Sequence, residues 1–201
     1  MQPKPLVLAS ASPRRREILG QLGLAFEVIE SAVDEPERER ELPEAYARGL
    51  AARKAEAVAS RLAQDAARAG SFVLGADTIV VVDERVLGKP RDDAHACEMV
   101  GLLAGRYHEV ITAVALRQVG ASLAKDIAVH TRVRFRALTT DEVRRYVATG
   151  EGRDKAGSYA IQGVGTGIVA AIEGSHSNVV GLPASETIAL LREAGALESW
   201  P

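Results

Sequence analysis

The stretch that decides the fold reads "SFVLGADTIVVVDERVLGKP" and covers residues 71–90. It consists of two runs of mostly apolar, β-branched residues, interrupted at Gly75 and ended by Pro90. This pattern predicts a buried strand whose C-terminal end carries "GADT", followed by a hairpin. Asp77 would then emerge from a buried strand, where an ionised carboxylate needs a partner such as a metal ion or a lysine.

Strands and helices alternate upstream of this stretch. Residues 5–9 form a short apolar run typical of a buried strand, and the following helix begins with Ser12 as N-cap and Pro13 at its first position. The alternation of "AFEVIES" (25–31) predicts a half-buried strand. An Ala-rich segment from Glu44 to about Ala69 predicts one long helix.

The downstream half continues the same pattern. "DDAHACEMVGLLAG" (92–105) predicts a helix, and two long β-branched runs at 108–119 and 127–138 predict an antiparallel pair. Residues 139–150 contain a capping box that begins another helix, and a last helix follows Pro183. Alternating elements with a two-stranded ribbon predict an α/β protein with a mixed, twisted sheet flanked by helices, formed as a single domain over residues 1–201.

Composition excludes several classes of function. The chain is 47% hydrophobic and 26% charged with a net charge of -2, so a general nucleic-acid or membrane-surface partner is not expected. A single cysteine, Cys97, excludes a disulfide framework and favours a cytoplasmic protein. The sequence contains no P-loop, no dinucleotide-binding glycine motif, no G-x-S-x-G elbow and no histidine spacing typical of zinc sites.

Three polar segments follow strands and are therefore candidate ligand sites, because open α/β sheets bind ligands beyond the carboxyl ends of their strands. They are residues 10–16, 75–78 and 154–167. In the first segment the hydroxyl of Ser10, the free amides of a helix start and the guanidinium groups of Arg14 and Arg15 suit a phosphate. The alternative is a solvated basic turn, although positive charge beside a positive helix end is unfavourable without an anion.

The charged candidates are of two kinds. Carboxylates could hold a divalent cation, and lysines could hold a polyphosphate, although each of them taken singly is typical of a surface charge. The candidates are Asp34, Glu35, Asp77, Lys54, Lys89 and Lys155.

Five motifs make the chain similar to a known family. "LASASPRR", "GADTIVVVD", "LGKPRD", "DKAGSYAIQG" and "NVVGLP", in this order over nearly the whole sequence, resemble the Maf family of nucleoside triphosphate pyrophosphatases. The resemblance implies cleavage of a nucleoside triphosphate between its α- and β-phosphates with Mg²⁺ or Mn²⁺. It also implies a fold related to inosine triphosphatases, a cytoplasmic location and a homodimer.

The resemblance also assigns roles residue by residue. Asp77 would be the general base that activates water and, with Glu35, a metal contact; whether Asp77 or Glu35 is the base stays open. The residues that would neutralise the triphosphate are Lys54, Lys89 and Lys155, and those that would bind phosphates at the helix start are Ser10, Arg14 and Arg15.

Three positions distinguish the substrates of this family. Arg14, Thr78 and Gln162 correspond to the type that prefers dTTP and UTP, and a glutamine amide can both donate to and accept from a pyrimidine edge.

Two alternative functions stay open. One is a purine preference like that of inosine and xanthosine triphosphatases, and the other is a nucleotide-binding inhibitor of septum formation.

Overall fold

The computed structural model of the protein describes residues 5–34 and 41–201. The strands are β1 (Leu6–Leu8), β2 (Glu27–Val28), β3 (Phe72–Val82), β4 (Arg85–Leu87), β5 (Tyr107–Gln118), β6 (Ala124–Phe135) and β7 (Val169–Glu173). The helices are α1 (Pro13–Gln21), α2 (Pro43–Leu62), α3 (Asp93–Leu103), α4 (Thr140–Ala148), α5 (His176–Val180) and α6 (Ala184–Glu193). Within these residues, none of the helices is long and apolar enough to cross a membrane.

The strands form one mixed sheet. Its order is β2-β1-β3-β5-β6-β7, and β4 pairs with β3 beside this path. β1 runs parallel to both β2 and β3, whereas the β3–β4 and β6–β7 pairs are antiparallel. The predicted α/β class with a mixed sheet flanked by helices is therefore confirmed.

Several element boundaries differ from the sequence-based prediction. β3 does not end at "GADT" but continues to Val82, so Asp77 lies in the middle of a strand. The β-branched residues after it favour extended backbone. β2 is only two residues long, and α2 ends at Leu62, after which residues 66–68 form a short 3-10 turn.

The residues divide into two compact units. The first comprises the described residues up to Asp77 together with Thr112–Val129 and Gly181–Pro201. Its fully buried side chains include Val7, Leu8, Leu19, Val58, Val73, Leu74, Leu116, Leu182 and Leu191.

The second unit comprises Thr78–Ile111 and His130–Val180. Its core contains the buried side chains Val80, Val82, Ala96, Val100, Leu103, Val110, Val133, Phe135, Val143, Tyr146, Val147, Tyr159 and Ile168. The predicted capping box is present at the start of α4, where the side chain of Thr139 accepts from the amide of Glu142 and the Glu142 carboxylate accepts from the amide of Thr139.

Gly75 sets how closely α2 packs on β3. A Cβ atom at this position would overlap the carbonyl oxygen of Ala51 and lie 2.7 Å from the backbone nitrogen of Ala55, both in α2. Atoms of a helix backbone cannot move aside as a flexible side chain could, so only glycine permits this approach. Gly75 is therefore a packing residue in a continuous strand, and the predicted interruption of the strand at Gly75 is wrong.

We expect Gly75→Ala to lower the free energy of unfolding by about 1–3 kcal/mol, because the added methyl overpacks the contact between β3 and α2. The measurement is urea unfolding followed by circular dichroism. Gly49→Ala is the matched control, since a Cβ at Gly49 in α2 meets nothing within 4 Å. The control should leave stability unchanged or raise it by up to ~1 kcal/mol. Equal effects of the two substitutions would contradict the proposed role of Gly75.

Candidate active site

A buried ion pair joins α2 to β3 in the first unit. The Nζ atom of Lys54 donates to Oδ1 of Asp77 over 2.7 Å, and the two residues are only 8% and 6% exposed. Lys54 lies on the inner face of α2, whose other buried residues are Ala47, Leu50, Ala51, Ala55 and Val58. Charged groups that are buried this deeply require a partner of opposite charge, so loss of either residue would leave the other charge buried and unpaired.

The turn between β1 and α1 is held by Arg15. Its Nη1 atom donates to the hydroxyl of Ser10 over 3.1 Å, and its Nε atom donates to the carbonyl oxygen of Gly181 over 2.9 Å. The Ser10 hydroxyl also accepts from the amide of Ser12, which is the N-cap of α1 but does not cap the helix with its own side chain. Arg15 is therefore buried within the turn, while Arg14 beside it is half-buried.

The parallel strands bring two of these groups to the same region of the sheet. Leu8 of β1 is opposite Leu74 of β3, and the amide of Ala9 donates to the carbonyl oxygen of Leu74 over 2.8 Å. Ser10 and Asp77 follow this pairing by two and three residues. Asp34 follows β2 and is exposed.

In the second unit, a backbone hydrogen bond joins two of the predicted site segments. The amide of Gly157, in "DKAG", donates to the carbonyl oxygen of Gly88, in "LGKP", over 3.0 Å. Lys155 in the first of these segments donates from Nζ to the carbonyl oxygen of Glu151 and to Oδ1 of Asp154, over 2.6 and 2.5 Å. Lys89 is exposed.

Two of the three predicted specificity residues, Thr78 and Gln162, belong to the second unit. Thr78 is half-buried and Gln162 is exposed. Gln162 follows a well-anchored segment, because the ring of Tyr159 packs edge-on against both His108 and Phe135. The Tyr159 hydroxyl lies 2.8 Å from Nε2 of His108.

Burial controls the protonation of these anchoring groups. Burial and the positive charge of Arg106 lower the pKa of His108 to about 4, so its imidazole is neutral at neutral pH. Burial raises the pKa of Tyr159 and of Tyr146 above the ordinary value of a tyrosine. Both hydroxyls therefore stay protonated and can donate hydrogen bonds.

Sequence reasoning missed two groups that hold these segments. One is the carbonyl oxygen of Gly181, which accepts from Arg15 and lies in the "NVVGLP" motif. The other is the carboxylate of Glu151, which accepts from the amides of Val164 and Gly165. Neither group forms a local pattern, because each is distant in the chain from the residues that it contacts.

A divalent cation would find few protein ligands among the described residues. Within 5–34 and 41–201 there is no group of three or more histidine, cysteine, aspartate or glutamate side chains placed to hold one. Glu35, the other predicted metal contact, lies outside the described residues.

Comparison with known proteins relates nearly the whole chain to one family. A family model described as "Maf-like protein" matches residues 5–194. A protein of Myxococcus xanthus named dTTP/UTP pyrophosphatase is 50% identical over 195 residues, which are 97% of this chain and 95% of that protein. A protein of the same name from Anaeromyxobacter sp. is 50% identical over 97% of this chain and 92% of its own, and one from Syntrophotalea carbinolica is 47% identical over 96% and 86%.

We expect Lys54→Met to lower the free energy of unfolding by about 3 kcal/mol, because it removes the ammonium partner of a buried carboxylate. Urea unfolding measures the change. Lys125→Met is the control, since Lys125 pairs with Glu193 at the surface and its loss should cost less than about 1 kcal/mol. A loss for Lys54→Met as small as that of the control would show that the pair does not stabilise the fold.

Proposed function

The chain belongs to the Maf family, and from this membership we propose that it is a nucleoside triphosphate pyrophosphatase that hydrolyses dTTP and UTP. The observation that carries the proposal is the extent of the similarity to relatives with that name. It spans 97% of this chain at 50% identity and so includes every segment with a predicted site residue.

The proposed reaction consumes one water molecule. A water oxygen forms a bond to phosphorus, and a phosphorus–oxygen bond of the bridge between the α- and β-phosphates breaks. The products are a nucleoside monophosphate and pyrophosphate. The attacking water loses a proton to a general base, for which we propose Asp77. The ion pair with Lys54 requires the ionised carboxylate, which is the form able to accept that proton.

Positive groups would stabilise the charge that shifts to the leaving pyrophosphate. We assign this role to Lys54, Lys89 and Lys155, and phosphate binding to the start of α1 with Ser10, Arg14 and Arg15. The hydrogen bonds of Arg15 to Ser10 and Gly181 support a rigid turn at that helix start.

We further propose that the reaction needs Mg²⁺ or Mn²⁺. Asp77 and Glu35 would hold the cation together with substrate phosphates. The cation would neutralise phosphate charge when bound. Asp77 lies in the middle of β3, and its Oδ1 atom is held by the Lys54 ammonium.

We assign recognition of the nucleotide base to Arg14, Thr78 and Gln162. An amide that both donates and accepts suits the pyrimidine edge of uracil and thymine. The exposed position of Gln162 is compatible with contact to a bound nucleotide. A cytoplasmic location and a homodimer complete the proposal, and the single cysteine of the sequence supports the former.

Steady-state kinetics on a panel of triphosphates test the substrate class. With pyrophosphate release as readout, we expect kcat/KM for dTTP and UTP to exceed that for ITP, XTP and CTP by roughly tenfold or more, which corresponds to about 1.4 kcal/mol. Preference for ITP or XTP would instead favour the inosine triphosphatase alternative. No turnover of any triphosphate would favour a nucleotide-binding regulator.

Asp77→Asn tests the general base. We expect it to lower kcat for UTP by roughly 10²- to 10⁴-fold, because the amide cannot accept the proton from water. Asp83→Asn makes the same chemical change at an exposed position in the turn after β3 and should leave kcat unaffected. Circular dichroism of both variants excludes unfolding as the cause. If Asp77→Asn hydrolyses UTP as fast as the parent protein, Asp77 is not the base.

A further inference from the structure

We propose that Glu151 is a positioning residue for nucleotide selection: its carboxylate fixes the turn that carries Gln162, and its carbonyl oxygen fixes Lys155. This inference rests on the proposed function, because Gln162 and Lys155 are assigned there to the base and the triphosphate. It adds a residue that neither the sequence motifs nor the names of the relatives identify.

The carboxylate of Glu151 binds the turn directly after Gln162. Its Oε1 atom accepts from the amide of Val164 over 2.9 Å, and its Oε2 atom accepts from the amide of Gly165 over 2.8 Å. Two consecutive amides that converge on one carboxylate form a small anion-binding nest. Hydrogen bonds to an ionised acceptor are stronger than those between neutral groups, so this contact orders the turn.

The segment before Gln162 is attached to the same carboxylate through Tyr146. The Tyr146 hydroxyl accepts from the amide of Ala160 over 2.9 Å and donates to Oε2 of Glu151 over 3.2 Å. Gln162 thus lies between two tethers, one at Ala160 and one at Val164. An exposed side chain on a loop would otherwise have no fixed direction, and base recognition needs one.

Gly163 allows the carboxylate to lie against the turn. Its φ is +66°, and a Cβ at this position would overlap Oε1 of Glu151. Only a residue without a side chain at position 163 leaves room for the Glu151 carboxylate.

The backbone of Glu151 holds Lys155, the residue predicted to contact the triphosphate. Its carbonyl oxygen accepts from Nζ of Lys155 over 2.6 Å, and its amide donates to the hydroxyl of Thr149 just after α4. One residue therefore holds a predicted phosphate contact through its carbonyl and a predicted base contact through its side chain. A shift of Glu151 would move both groups together.

Glu151→Gln is the variant that tests this role. The shape is kept, but one acceptor oxygen becomes an NH₂ group that faces an amide N–H, so one of the two tethers after Gln162 is lost. We expect kcat/KM for UTP to fall about tenfold, mainly through a higher KM, and the preference for UTP over CTP to fall by a similar factor. Hydrogen exchange of the Val164 and Gly165 amides should become faster.

Two control variants separate positioning from stability and charge. Glu98→Gln makes the same change at an exposed position of α3. Thr139→Ala removes the cap of α4 and so destabilises the same unit without touching the turn. Neither should alter the preference for UTP over CTP. Combining Glu151→Gln with Gln162→Ala should give less than the product of the separate effects, because both changes remove one function.

The outcomes are distinct for the two proposals. A parent protein that does not hydrolyse UTP overturns the proposed function and this inference with it. An active parent whose Glu151→Gln variant keeps the parent's selectivity and amide protection overturns this inference alone. A loss of selectivity in Thr139→Ala as large as that in Glu151→Gln also overturns it, because general destabilisation would then suffice.

Discussion

The contact of α2 with Gly75 of β3 is the constraint on which the first unit depends. The backbone of α2 lies directly on the strand at Gly75. Lys54, on the inner face of α2, therefore contacts Asp77, which is two residues after the glycine. A bulkier residue at Gly75 would separate the elements and leave two buried charges apart. The packing contact and the buried ion pair are therefore both formed by the same short segment, "GADT".

The second unit positions its predicted site residues differently. Its core anchors Tyr159 through edge-on ring contacts, but the turn that follows is held by polar contacts to Glu151 and Tyr146. The proposed general base, Asp77, lies on a strand of the sheet. The residue proposed to recognise the nucleotide base, Gln162, lies beside a turn that side chains hold in place. Chemistry needs fixed geometry, whereas a loop can change its specificity without disturbing the sheet.

Much of the fold could be predicted from local pattern. The start of α1 at Pro13 and the capping box of Thr139 and Glu142 are local features, and the structure confirms both. The continuation of β3 could not be predicted, because a glycine needed for close packing looks the same in the sequence as one that ends a strand. The buried strand pattern predicts that Asp77 has a partner such as a metal ion or a lysine, and the structure places Lys54 in contact with it.

The contacts of Glu151 lay beyond prediction for a related reason. Its partners are backbone amides 13 and 14 residues further along the chain, and backbone groups carry no sequence signal. The roles of all the predicted site residues remain predictions, supported by family membership.

The most direct test of the account is the identity of the products, followed by ³¹P NMR during incubation of the protein with UTP and Mg²⁺. Cleavage between the α- and β-phosphates predicts signals of UMP and pyrophosphate that rise in equal amounts. Signals of UDP and orthophosphate, or an unchanged UTP spectrum, would contradict it.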